Sequence, residues 1–142
     1  MINFFTEEID FNLKKSDDIK VWLVKCASIY SVDIQIVNYV FSDDNYVLEV
    51  NKEHLNHDFY TDIITFDLRD AKGQPIEADI FVSIDRVKDN SISLDIPFET
   101  ELNRVLVHGL LHLIGYSDKS EEEALEMRAQ EDKCLSLLSQ SK

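Results

Sequence analysis

The sequence predicts an α+β fold: one domain, residues 1–142, with a mixed, mostly four-stranded sheet packed with about four to five helices. Three observations predict it. Segments with two-residue and 3.6-residue hydrophobic periods follow one another in the order β-α-β-α-β-β-α-α. Two strand-like runs in the middle of the chain flank a turn-rich stretch, the pattern of a hairpin. The last third is helical in pattern, and its long first helix ends in a glycine.

Residues 2–5, Ile-Asn-Phe-Phe, read as a short strand. Ser16 is placed as the cap of a helix whose apolar positions Ile19, Trp22, Leu23, Cys26, Ala27 and Tyr30 follow helical spacing. From Asp33 to Phe41, Ile34, Ile36 and Val37 alternate with polar residues ahead of Val40 and Phe41, which predicts a strand. Ser42-Asp43-Asp44 is a helix-start signal before Tyr46, Val47 and Val50. Thr61–Leu68 and Ile76–Ile84 flank the turn-like Asp70–Pro75 and form the hairpin. Phe98–Ile114 is a helix with Leu102, Val105, Leu106 and Leu110 at core spacings. Ser120-Glu121-Glu122-Glu123 is a capping box opening a final helix that buries Ala124, Met127, Cys134, Leu135 and Leu138.

Composition narrows the function. With 44% hydrophobic residues, three glycines and two prolines, the chain has enough apolar content for a core and little linker sequence. No apolar run approaches the roughly 18 residues of a membrane span, and no basic-then-apolar leader opens it, so a cytoplasmic protein without membrane contact is expected. Cys26 and Cys134 fall on apolar helix faces and are expected to be buried reduced thiols. A net charge of −14 weighs against a broad nucleic-acid footprint. Local basic patches remain: Lys52 with His54 and His57, Arg69 with Lys72, and Arg86, Lys88 and Arg104.

Chemistry concentrates in residues 107–118, Val-His-Gly-Leu-Leu-His-Leu-Ile-Gly-Tyr-Ser-Asp. Four helical residues turn about 400° and rise roughly 6 Å, so His108 and His112 share one face. One divalent ion can take both imidazoles, and Gly115 ends the helix by entering a left-handed conformation open to glycine. Asp118 can then turn back as a third ligand, which places a metal site at the end of a histidine-bearing helix. Three protein ligands leave one position of a tetrahedral zinc for water, as in catalytic sites.

The same residues resemble a known family. His-Gly-Leu-Leu-His-Leu-Ile-Gly-Tyr-Ser-Asp is similar to the H-G-x-L-H-L-x-G-Y-D-H signature of the YbeY family, bacterial metal-dependent endoribonucleases of ribosomal RNA. Glu123-Ala124, Met127 and Glu131 continue the resemblance without a gap, which puts Asp118 in the place of the family's third histidine. Thr61–Phe66 resembles the family's T-(N/D)-V-L-S-F strand, and Ala78-Asp79-Ile80 its G-D-I/L strand. The resemblance implies a single-strand-specific endoribonuclease in maturation of the 16S ribosomal RNA 3′ end and in ribosome quality control. It also implies the small ribosomal subunit, with a ribosomal protein or GTPase, as partners. The implied cofactor is one divalent ion, Zn2+ by preference. Asp118 removes one unit of site charge and admits harder ions such as Mn2+.

Two further departures stand out. Ser117 replaces the aspartate that precedes the third ligand, and Leu55 falls where the family has an arginine before the Thr61 strand. Lys52, His54 and His57 are candidate replacements as phosphate contacts, with Thr61 and Thr65 as hydroxyls lining a cleft wall. Gly109 stands where zinc peptidases with H-E-x-x-H carry their base, which argues against peptide hydrolysis. No separate base is assigned; water held by His108, His112 and Asp118 is the expected catalytic group, and attack by hydroxide or by the 2′-hydroxyl both stay open. The acidic turn Glu121–Glu123 is a candidate for orienting the imidazoles, and helix capping explains it equally. Two alternatives stand beside the nuclease: a ribosome-associated assembly factor with a structural metal, and a metal-dependent hydrolase of a non-RNA substrate.

Overall fold

The computed structural model describes residues 1–57 and 60–140. Its elements are β1 Ile2–Thr6, α1 Ser16–Ile29, β2 Ile34–Ser42, α2 Asp44–Leu55, β3 Ile63–Asp67, β4 Ile76–Ser83, α3 Ile84–Leu94, α4 Phe98–Ile114 and α5 Glu121–Gln140. The strands form one sheet in the order β1-β2-β4-β3. β1, β2 and β4 run parallel, and β3 pairs antiparallel with β4 as the hairpin pattern predicts. Parallel neighbours need crossover connections, which α1 supplies between β1 and β2. No helix among the described residues is long and apolar enough to cross a membrane.

Alternation along the strands divides the apolar residues between two faces. Val37, Tyr39, Ile80 and Val82 join the main core with α1, α4 and α5, while Ile64 closes a smaller cluster with Val47 and Val50 of α2. The main core is pinned at its polar atoms. The Tyr39 hydroxyl donates to the Leu106 carbonyl at 2.9 Å, and Trp22 Nε1–H donates to the Cys134 carbonyl at 2.7 Å. Cys26 and Cys134 are fully buried free thiols, as expected from their helix faces.

The helix ends are set by local chemistry. Asp43 accepts from Tyr46 N–H at 2.8 Å and opens α2. Ser120 and Glu123 close a reciprocal capping box, with Glu123 N–H on Ser120 Oγ at 3.1 Å and Ser120 N–H on Glu123 Oε1 at 3.2 Å. Gly115, at φ 130°, ends α4: its N–H reaches the His112 carbonyl while Tyr116 N–H reaches Leu111 O at 3.1 Å. These paired bonds satisfy carbonyls that the last turn leaves open.

Three local expectations need correction. Ser16 lies inside α1, because Lys15 takes the cap position in a left-handed conformation without a side-chain bond; Asp17 and Asp18 favour that end through the helix dipole. Ala124 is exposed on α5 rather than buried, since the buried stripe of that helix runs through Met127, Glu131 and Cys134. Ile84 begins α3, a helix that the expected element order lacks, instead of ending β4. Ser83 Oγ accepts from Arg86 N–H at 3.2 Å, and Ile84, Val87 and Ser91 then bury one helical face.

A close approach at Gly109 places α4 on the sheet. A Cβ at Gly109 would stand 2.8 Å from Ile63 Cδ1, 3.3 Å from Ile80 Cδ1 and 3.4 Å from Thr65 Cγ2. A side chain there would have to displace the ends of Ile63 and Ile80, so a glycine suits this contact between α4 and the sheet. Gly109→Val is expected to destabilise the protein by about 1–3 kcal/mol through overpacking, outweighing any gain from replacing a helical glycine. Thermal unfolding against wild type measures this, and an unchanged midpoint would contradict the close approach.

Candidate active site

His108 projects from α4 toward α5, and its two ring nitrogens face different carboxylates. Nδ1 lies 2.7 Å from Glu131 Oε2, and Nε2 lies 3.5 Å from Asp118 Oδ2. Glu131 belongs to the buried stripe of α5, its side chain only 7% exposed. Its other oxygen accepts from Arg104 at 2.9 Å, and Arg104 also donates to Asp132 at 2.8 Å. A chain of alternating charge therefore runs Asp118, His108, Glu131, Arg104, Asp132 across the α4–α5 seam.

Burial disfavours charge on each partner, but the pairing outweighs it. For His108, burial pulls the pKa down, while the Glu131 bond and the charges of Glu131, Asp118 and Asp62 raise it above the usual imidazole value. For Glu131, burial pushes the pKa up, while bonds from His108 and Arg104 hold it below the usual carboxylate range. Asp62 stands near this charge chain, and burial raises its carboxyl despite the attraction of His108.

Two clefts flank the motif, one lined by Ser117 and Lys119 and the other by Asp118. The first, of about 620 Å³, is lined by exposed His112 together with Arg69, Lys72 and Lys119, which outnumber the carboxylates Asp33 and Asp67. Arg69 is held there by Asp67 at 2.7 Å and by the Leu113 carbonyl at 2.7 Å. The other, of about 280 Å³, is lined by His108 and Asp118 with Asp62, Glu101 and Arg104.

Thus the structure brings His108 and Asp118 together and sets His112 one helical turn further along, in the adjoining cleft. No three His, Cys, Asp or Glu side chains among the described residues form a metal-binding group. The donor chemistry nevertheless suits a divalent cation. Glu131 occupies Nδ1 of His108 and leaves Nε2 as the donor, the carboxylate–histidine arrangement that orients ligating imidazoles. Two imidazoles and a carboxylate are ligands for a borderline divalent ion.

The other sequence candidates stand outside both clefts. Lys52 and His54 belong to α2, across the sheet from α4; Lys52 pairs with Glu49 at 3.7 Å, and His54 meets Phe66 edge-on at 5.8 Å. His57 donates its N–H to the Asn51 carbonyl at 3.2 Å. Thr61 Oγ1 donates to the Ile63 carbonyl at 3.3 Å, and Thr65 packs its methyl toward Gly109. Arg86 is bound to Asp44 at 2.9 Å. Glu123 serves the capping box, so orientation of His108 falls to Glu131, a residue sequence reasoning noted only as part of a motif. Its signal was a glutamate between Met127 and Cys134 on an apolar helical stripe.

Fold and side chains together define a small α+β domain with a histidine–carboxylate site at the seam of two helices, bordered by a cleft in which cations outnumber carboxylates. The chain belongs to the YbeY family: the family model described as Endoribonuclease YbeY matches residues 2–139. Proteins of that name from Cytophaga hutchinsonii and Flavobacterium psychrophilum are 49% and 43% identical to it. The first alignment covers 96% of this chain and 94% of the relative, the second 94% of each. The solution structure of TM1509 from Thermotoga maritima is similar with a TM-score of 0.66 at 27% identity, covering 97% of this chain and 89% of that one.

In chelator-treated protein, NMR titration of the His108 ring is expected to give a pKa above 6.5, and Glu131→Gln is expected to lower it. A folded-state pKa above the unfolded value means that protonated His108 stabilises fully below about pH 6.5. That stability is lost as pH rises through the folded-state pKa. A His108 pKa unmoved by Glu131→Gln would show that the pair is not coupled.

Proposed function

We propose that this chain is an endoribonuclease that cuts single-stranded RNA at a divalent-cation site formed by His108, His112 and Asp118. The observation that carries the reading is the Glu131-held imidazole of His108 presenting Nε2 to Asp118. It stands on the motif helix of a chain 49% identical to a protein named as an endoribonuclease. Zinc is the preferred ion, and the carboxylate of Asp118 widens the choice to manganese.

When bound, such a cation supplies a Lewis acid for the phosphate and lowers the pKa of water. The protein's own residues do the rest. Glu131 and Arg104 fix the His108 ring, so the donor nitrogen needs no reorganisation. Lys72, Lys119 and Arg69 set positive charge beside His112, where the RNA backbone enters. Arg69, held by Asp67 and the Leu113 carbonyl, is a fixed charge rather than a mobile one. This cleft takes over the phosphate-binding task that Lys52, His54 and His57 were expected to perform, and Thr65 keeps α4 and β3 in contact.

Ribosomal RNA of the small subunit, in the cytoplasm, is the substrate that family membership supports. A net charge of −14 makes association with such an RNA depend on the local basic cleft, or on a ribosomal protein that supplies further positive surface.

Cleavage of labelled single-stranded RNA by wild type and by His112→Ala, prepared in parallel, tests the reading. Wild-type cleavage that is abolished by chelator, restored by zinc or manganese and absent from His112→Ala is the expected result. Equal cleavage by both preparations, or none by either, overturns it. For Asp118→Ala, calorimetric titration with zinc is expected to show weakened affinity; unchanged affinity removes Asp118 from the ligand set.

A further inference from the structure

Glu101 is a buried carboxylate that the site described so far does not use. It projects from α4 seven residues before His108, is only 6% exposed, and lines the smaller cleft. Its Oε1 is buried without a hydrogen-bond partner among the described residues. A buried acceptor left unpaired costs about 1–3 kcal/mol, more when charged, so its presence calls for a reason. Burial raises the Glu101 carboxyl and Asp62 adds to the effect, while Arg104 and Arg128 oppose it. An N–H donor brought into the cleft would satisfy that oxygen once the side chain turns toward it.

The cleft selects what can enter. Asp62, Glu101, Glu131 and Asp118 all contribute carboxylates, and Arg104 is already committed to Glu131 and Asp132. Arg128 at the rim offsets only part of that charge, so the floor around Glu101, away from the cation ligands, favours a neutral group bearing donors over a phosphodiester. Val105 and Met127 provide apolar walls, and the Arg104 guanidinium is held in place by its two carboxylates. Unstacked RNA bases are held between apolar surfaces and guanidinium planes, and read along their Watson–Crick edges. About 280 Å³ accommodates one base with room for its sugar edge.

Distance separates base from ribose. Seven residues of helix put Glu101 about 10.5 Å along the axis from His108. A 2′-hydroxyl lies too close to its own phosphate to span that length, whereas the far edge of a base reaches outward from it. Among the four bases, guanine alone presents two neighbouring donors, N1–H and the N2 amino group, to match the two oxygens of one carboxylate.

Building on the endoribonuclease reading, we propose that the cleft between α4, α5 and the start of β3 seats an unstacked guanine of the RNA substrate. Glu101 accepts its Watson–Crick donors and thereby sets which base stands beside the cleaved bond. Glu101 is a specificity-determining residue for an activity centred on His108.

Two experiments test this, one of them independent of cleavage. In the first, guanosine and uridine are titrated into chelator-treated, isotopically labelled protein. Guanosine is expected to shift the amide resonances of Glu101, Arg104 and Arg128, uridine to leave them unmoved at equal concentration, and Glu101→Gln to abolish the response. Equal shifts from both nucleosides, shifts confined to other regions, or an undiminished response in Glu101→Gln overturn the proposal. In the second, single-stranded RNAs differing at one base beside the cleavage site are compared. Wild type is expected to favour guanine by about tenfold or more, the scale of a bidentate contact, and Glu101→Gln to erase the preference. His112-dependent cleavage with the same base preference in both proteins overturns the base seat and leaves the nuclease standing. Loss of cleavage in wild type overturns the nuclease, while the nucleoside titration still decides the cleft. Arg128→Ala, at an exposed rim position outside the core, provides a second variant and is expected to weaken the guanosine response without altering thermal unfolding.

Discussion

The contact of α4 with the sheet at Gly109 governs the rest of the molecule. Ile63, Thr65 and Ile80 close on that position so tightly that even a methyl group intrudes. With the helix held at this distance, its neighbouring residue His108 is turned away from the sheet and toward α5. The two clefts then open on either side of the segment that follows the helix. One glycine thus fixes both the depth of the core and the aim of the first histidine.

A second constraint is electrostatic. The seam between α4 and α5 is joined by alternating charges from Asp118 through His108 and Glu131 to Arg104 and Asp132. Breaking such a chain at one member leaves a buried charge without its partner, which costs more than the pair contributes. The arrangement also sorts the surroundings by sign. Cations outnumber carboxylates beside His112 and carboxylates outnumber cations beside His108, so an acidic protein presents a mildly positive cleft against a more negative one. Net charge, summed over the chain, conceals this division.

Much of this was legible in the sequence where a local rule acted alone. The bounds of the histidine helix, the hairpin, the α2 cap and the α5 capping box all follow from periodicity and turn chemistry within a few residues. Failures came where two signals overlapped or where the partner was distant. The apolar run of β4 continued into Ile84, which hid the Ser83 cap and with it the whole of α3, a helix absent from the expected element order. Family membership was legible in the His108–Asp118 motif. The orientation of His108 depends on Glu131, 23 residues away, and on the packing of two helices, which no local pattern reports. The basic cleft was half visible as Arg69 with Lys72; its association with His112 required the folded return of β3 against α4.

The chain contains one tryptophan, and its position gives the molecule a built-in optical reporter. Trp22 is almost wholly buried on α1, with its indole N–H donating to the carbonyl of Cys134 on α5. Cys134 lies one helical turn beyond Glu131, so the helix that holds the indole also orients the first histidine. Emission from this single chromophore therefore reads the seating of α5. Loosening of that helix admits water to the indole and shifts its spectrum to the red, so the integrity of the site can be followed by fluorescence without a label, a substrate or a metal.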